Sequence, residues 1–102
     1  MNLLNTTFFI DKTVGSLFID WAKNHYIPEL EKFGGQEIKF LEITSDEPDA
    51  LRYAIQTVLQ SENQSQQWQD SMLPTILQKA FGNSYAIKPD QLLHFTSVMH
   101  IL

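Results

Sequence analysis

Several residue types that support common protein chemistries are absent from this sequence or scarce in it. Cysteine does not occur, which excludes disulfide bonds, thiolate nucleophiles and cysteine-ligated metal sites. Glycine and proline number four each, and there is no linker, repeat or low-complexity tract. Seven basic residues stand against twelve acidic ones, which gives a net charge of −5. Such a surface repels phosphate backbones and anionic lipids, so we predict neither nucleic-acid nor membrane binding.

Long apolar runs are also missing. No stretch reaches the roughly 18 apolar residues of a membrane span. The first ten residues lack the basic segment and the cleavage site of a signal peptide, so we expect a cytoplasmic protein. What is present is typical of a globular chain, with 43% hydrophobic and 19% charged residues over a length of 102. We predict a single domain spanning residues 1–102.

The spacing of apolar residues predicts six elements in the order β-α-β-β-α-β. Strands alternate every second residue, whereas helices repeat at three and four positions. The predicted strands span residues 3–11, 36–45, 50–60 and 92–101. The helices run from Thr13 to Gly34 and from Ser61 to Gly82, with Thr13 and Ser61 as candidate N-caps, a kink or an end near Pro28 and a kink at Pro74. Right-handed crossovers then give a ferredoxin-like α+β fold, in which the first and third strands are central and both helices cover one sheet face. A turn is expected at residues 45–49.

Period-two alternation divides each strand into a helix side and an opposite side. We assign the more apolar set to the helix side: Leu4, Phe8, Ile10, Tyr53, Ile55, Leu59, Leu93, Phe95, Met99 and Ile101. The opposite side then holds Asn5, Thr7, Phe9, Arg52, Ala54, Gln56, Val58, His94, Thr96, Val98 and His100. Of that second set only Arg52 is fully charged at neutral pH, whereas a wet sheet face usually carries lysine and glutamate.

The uncharged side is therefore predicted to be covered by a second copy of the chain. Two such faces in a homodimer can leave a polar cavity for a small molecule between them. The candidate ligand or interface residues are Asn5, Thr7, Gln56, His94, Thr96 and His100. His94 and His100 are about 20 Å apart along an extended strand, so they cannot bind one ion, and we predict no metal. The alternative is a sheet face that is partly exposed to solvent and carries few charges.

Trp21 and His25 form a further candidate pair, since a spacing of four places both on one face of the first helix. A functional interpretation makes His25 an acid, a base or a ligand beside an aromatic wall. The structural interpretation, which we favour, is a packed tryptophan and a histidine hydrogen-bonded where the helix meets the sheet.

The segment Trp21-Ala22-Lys23-Asn24-His25-Tyr26-Ile27-Pro28-Glu29 resembles an uncharacterised bacterial family, domain of unknown function number 4286. The first strand with Asn5, the run Tyr53-Ala54-Ile55-Gln56 and the pair Phe81-Gly82 are similar to the same family. The resemblance covers most of the chain and implies a dimeric α/β barrel made of ferredoxin-like halves. It implies no reaction and no functional residues.

Two alternatives to a binding domain come from analogy. Dimeric α/β barrels include cofactor-independent monooxygenases and haem-degrading oxygenases, which use an asparagine, a tryptophan and a histidine. Asn5 and Trp68 can be compared with the first two, but the predicted second helix has no histidine. The segment from Asp11 to Leu17 is similar to the ligand loop of amino-acid-binding ACT domains around Gly15, with one extra residue.

Motifs for nucleotide, hydrolase or zinc-protease chemistry are absent. The sequence thus leaves the function unknown. Our leading hypothesis is a homodimer that binds a small molecule, without a cofactor and without catalysis.

Overall fold

An antiparallel sheet of four strands carries two helices on one side. The computed structural model describes residues 1–44, 46 and 49–102, so the predicted turn at residues 45–49 lies partly outside the described residues. The strands are β1 (Asn2–Asp11), β2 (Gln36–Ile43), β3 (Ala50–Leu59) and β4 (Leu92–His100). Their order across the sheet is β2-β3-β1-β4, and every pairing is antiparallel. The predicted ferredoxin-like arrangement with β1 and β3 at the centre is confirmed.

Both helices contain a π turn in their middle. Helix α1 consists of Gly15–Trp21, the π turn Ala22–Tyr26 and Ile27–Lys32, and helix α2 consists of Glu62–Gln67, the π turn Trp68–Met72 and Leu73–Phe81. The residue before each proline, Ile27 or Leu73, donates its backbone N–H to a carbonyl five residues back. A proline ring crowds the carbonyl four residues back, and the wider π turn relieves that crowding. The predicted kinks therefore take the form of π turns.

A side-chain cap lies at the start of α2 and at the start of the short turn before α1. Asp11 caps a short 3₁₀ turn, Lys12–Val14, that precedes α1, since its Oδ1 accepts from the Thr13 N–H at 2.9 Å. The prediction that Thr13 itself is the cap is wrong. Ser61 caps α2 as expected, because its Oγ accepts from the Gln64 N–H at 3.2 Å. A second 3₁₀ turn, Pro89–Gln91, leads into β4.

The core lies between the helices and the sheet and is rich in aromatic rings. The residues in the following set are at most 1% exposed: Phe8, Phe18, Trp21, Tyr26 and Trp68. The Trp21 Nε1–H also donates to the Ile76 carbonyl at 3.2 Å, which confirms its predicted place in the core. Phe81 packs at the margin of the core and is only partly buried. No helix in the described part of the chain is long and apolar enough to cross a membrane.

Candidate functional site

Strand β4 faces the opposite way from the prediction. His94 lies directly opposite Phe8, and Thr96 lies opposite Thr6. Opposed residues of an antiparallel pair project to the same side of a sheet. Because Phe8 belongs to the core, the residues on the helix side are His94, Thr96, Val98 and His100, and the residues on the other side are Leu93, Phe95 and Met99. The prediction was wrong for the whole of this strand, including Ile101, which follows it and is exposed.

The physical reason is the position of β4 at the edge of the sheet. The helices cover the central strands, where Leu4, Phe8, Ile55 and Leu59 are almost completely buried. The helix side of β4 is only partly covered, and polar side chains such as His94 are tolerated there. The apolar side chains of β4 instead lie on the sheet side without helices, which we name the open face.

Four rows of side chains cross the open face, one residue from each strand in the order β2, β3, β1, β4. From one end of the sheet to the other they are Gln36, Val58, Leu3 and Met99; Lys39, Gln56, Asn5 and Ser97; Leu41, Ala54, Thr7 and Phe95; and Ile43, Arg52, Phe9 and Leu93. The second row is polar throughout, and we name it the polar row. Its neighbours on both sides are mainly apolar.

The edges of the open face expose large apolar side chains. Relative exposure is 41% for Leu41, 37% for Ile43, 55% for Leu93, 61% for Phe95 and 44% for Met99. On the same face, the Phe9 and Phe95 rings meet edge to face with centroids 5.6 Å apart. Soluble monomers rarely expose many large apolar side chains on one face, and apolar surface patches mark interaction sites.

Within the polar row, the Asn5 amide is only half satisfied. Its Nδ2 donates to Thr7 Oγ1 at 3.1 Å, while its Oδ1 is shielded from solvent and has no hydrogen-bond partner among the described residues. An acceptor in that state costs about 1–3 kcal/mol. Gln56 lies beside Asn5 and is half-buried, and Lys39 and Ser97 at the two ends are exposed. Asn5, Thr7 and Gln56 are therefore brought together, as predicted.

The other three predicted residues, His94, Thr96 and His100, lie on the helix side. Partial burial against Phe8 lowers the pKa of His94, and the two ring centroids are 6.5 Å apart. Thr96 Oγ1 lies 3.0 Å from Thr6 Oγ1, which in turn accepts from the Tyr26 hydroxyl at 3.4 Å. Because the Tyr26 phenol is buried, its pKa is raised.

At the far end of β4, His100 Nε2 is 3.3 Å from Glu62 Oε1. A cleft of about 370 Å³ lies beside this pair, between α2 and β4, and is lined by Glu62, Asn63, Ser65, Gln66, Gln69 and Val98. Two of its amides bond within the helix, since Gln66 donates to Asp70 and Gln69 to the Ser65 carbonyl. The cleft is therefore a polar groove in which the Gln66 and Gln69 amides are already engaged by the protein.

Trp21 and His25 occupy different environments. Trp21 is fully buried, whereas His25 is half-buried and meets Tyr85 edge to face at 5.4 Å, in the loop after α2. The predicted contact of His25 with the helix–sheet junction is replaced by this loop contact.

The residues compared with those of monooxygenases lie on opposite sides of the sheet, and the glycine compared with that of ACT domains is packed against a side chain. Trp68 is buried against Tyr26 and Phe33 on the helix side, whereas Asn5 projects from the open face, so the sheet separates them. At Gly15 an added Cβ would lie 2.6 Å from Leu51 Cδ1, so close packing explains a glycine at this position without a ligand.

Comparison with known protein families shows to which family the chain belongs. The profile described as Domain of unknown function (DUF4286) matches residues 1–101. The chain belongs to this family. None of the curated proteins matches the DUF4286 chain.

Solved structures similar to the DUF4286 chain share its fold at low identity. One is a candidate antibiotic biosynthesis monooxygenase from Bacillus cereus, with a TM-score of 0.62 and 15% identity over 98% of this chain and 91% of that one. A dimeric ferredoxin-like protein from an uncultured marine organism has a TM-score of 0.62 and 13% identity over 99% and 95% of the two chains. A second such protein has a TM-score of 0.53 and 16% identity over 97% and 91%. At these identities the similarity shows the fold, and the family's function is unknown.

Proposed function

We propose that this DUF4286 protein is a homodimer in which two open faces stack and enclose a site for a small molecule. The observation that carries the proposal is the apolar surface exposed along both edges of the open face, at Leu41, Ile43, Leu93, Phe95 and Met99. Burial of such side chains is the main driving force for association, and a second copy offers an identical, complementary face.

The size of the face fits a stable dimer. The molecule measures 37 × 31 × 18 Å, and its short dimension is that of one sheet plus one helix layer. With strands about 4.8 Å apart and a rise of about 3.3 Å per residue, the sheet has a flat footprint of roughly 600 Å². Side-chain relief brings its accessible area toward the ~800 Å² per partner of standard interfaces. Two of the similar solved proteins are themselves described as dimeric, which supports the same assembly here.

The polar row supports a ligand site inside the dimer. The apolar side chains on both sides of the row become buried when two faces stack. The amides of Asn5 and Gln56 cannot be left without partners in the buried centre, because unpaired buried polar groups are costly. A small polar molecule, or the water that it displaces, supplies those partners.

Light scattering of the purified chain tests the assembly. The expected mass is twice the 11.8 kDa of one chain. Phe95→Lys places a charge on the open face and is expected to give the mass of a single chain, since each copy then brings an unpaired lysine into the interface. Gln78→Lys adds the same charge to the exposed surface of α2 and is expected to stay dimeric. Stable dimers usually have dissociation constants below about 10 μM. A wild-type protein with the mass of a single chain at about that concentration would overturn the proposal.

A further inference from the structure

The open face differs in charge from the rest of the molecule. Twelve acidic residues outnumber seven basic ones in the whole chain. Among the residues of the four rows, all within the described part of the chain, the charged ones are Lys39 and Arg52, and none is acidic. The acidic residues of the four strands all lie outside the rows. Asp11 lies beyond the fourth row and its carboxylate accepts from Thr13, Glu37 is exposed in the bulge of β2, and Glu42 lies opposite Tyr53 on the helix side.

This distribution has a consequence for a dimer built from two open faces. In a two-fold interface each copy offers the same residues, so the partner brings no acidic side chain from its rows either. Stacking removes water from the Lys39 ammonium, and a desolvated cation is stable only beside an anion. A bound molecule can supply the missing negative charge.

The side chains around Lys39 further define the chemical class of that molecule. Next to Lys39 in the polar row, the Gln56 amide is a hydrogen-bond donor that suits the oxygens of a carboxylate. The rows on both sides offer apolar and aromatic surface, including Val58, Leu41 and Phe95. We propose that the polar row binds the carboxylate of an apolar or aromatic monocarboxylic acid, whose hydrocarbon part lies on the adjacent rows. This inference rests on the proposed homodimer.

The ligand's charge is assigned to Lys39 alone. The Arg52 guanidinium already lies over the Phe9 ring, 5.2 Å from its centroid, and has no assigned role in binding.

Titration calorimetry with phenylacetate, and with phenylacetamide as its uncharged match, tests the inference on the full-length chain. We expect the wild type to bind phenylacetate about tenfold more tightly than phenylacetamide, the usual gain of a charge-assisted hydrogen bond over a neutral one. Lys39→Met is expected to remove that preference. Lys79→Met, which removes an exposed lysine from α2, is expected to keep it. The preference is also expected to shrink as salt is raised.

Light scattering of the same samples separates the two proposals. A dimeric wild type that binds both probes equally, or neither of them, overturns the carboxylate inference and leaves the dimer standing. A dimeric Lys39→Met protein that keeps the preference for phenylacetate also overturns the inference. A monomeric wild type overturns the proposed function and, with it, the inference. The comparison of the two probes on the wild type does not depend on how any variant folds.

Discussion

Trp21 combines ring packing with a hydrogen bond that joins the two helices. Its ring contacts Phe8, Phe18 and Tyr26 at centroid distances of 5.6–6.1 Å, within the range of favourable aromatic pairs. Its Nε1–H donates to the Ile76 carbonyl in α2, 55 residues away in the chain. The side chain therefore links β1, α1 and α2.

Trp21→Ala is expected to lower the free energy of unfolding by about 3–5 kcal/mol, the usual cost of truncating a buried large aromatic side chain. Trp21→Phe keeps a ring but loses the bond to Ile76, and a smaller loss is expected. Leu17→Ala, at a position that is 37% exposed on α1, serves as the control and should change stability by less than about 1 kcal/mol. Urea unfolding curves measure all three. Overlapping curves for Trp21→Ala and the wild type would contradict the assignment.

The pKa of His94 is lowered by burial from its ordinary value of 6.5. Between the folded and unfolded pKa values the unfolded chain binds more protons, so stability is present above about pH 6.5 and is lost as the pH falls. His94→Gln cannot take up a proton, and we expect it to reduce the loss of stability between about pH 7 and pH 5. Melting temperatures across that range provide the measurement. An unchanged pH dependence in His94→Gln would show that another group is responsible.

At the residue scale the sequence predicts some environments well and others poorly. The spacing of apolar residues in α1 was sufficient to place Trp21 in the core. The neighbour of His25 was not predictable, because Tyr85 lies in a loop whose path depends on the tertiary structure. Asp11 was missed as the cap because the 3₁₀ turn before α1 shifts the helix start to Gly15.

At the scale of elements, β4 shows where hydrophobic patterning fails. The rule that the apolar side of a strand faces the core holds for β1 and β3, which the helices cover. In β4 the apolar set Leu93, Phe95 and Met99 lies on the open face. The rule assumes that the core is the only surface that needs apolar residues, and an association surface breaks that assumption. The inversion therefore agrees with the proposed homodimer.

The junction between α1 and β2 depends on a close approach at Gly35. A Cβ there would lie 2.6 Å from Thr57 Oγ1 and 2.9 Å from the Leu30 carbonyl oxygen. Gly35→Ala is expected to destabilise the fold by about 1–3 kcal/mol, because the backbone must move to relieve the overlap. Gly82→Ala is the matched control, since its nearest neighbour would be at 3.4 Å. Chemical denaturation compares the two variants, and equal stability would show that the junction adjusts freely.

At the scale of the molecule, the order of elements predicted the topology but not the open face. Alternating periods and right-handed crossovers were enough to place β1 and β3 at the centre. The four rows depend on the register between strands. The bulge between Gln36 and Lys39 shifts the register of β2 against β3, and local sequence patterns do not show this shift. Lys39 was missed as a member of the polar row for this reason, and Ser97 was missed because the two sides of β4 were assigned the wrong way round. Pairing the polar positions of adjacent strands would have been the signal to look for.

A homodimer couples folding to association, so its thermal stability should depend on protein concentration. Mass action predicts that the melting temperature of the wild type rises by about 2–5 °C for each tenfold increase in concentration. Phe95→Lys, which prevents stacking, is expected to melt at the same temperature at every concentration, and its intact core should still give a cooperative transition. Gln78→Lys should follow the wild type. Differential scanning calorimetry over about a hundredfold range of concentration provides the measurement, and a constant melting temperature in the wild type would contradict the stacked dimer.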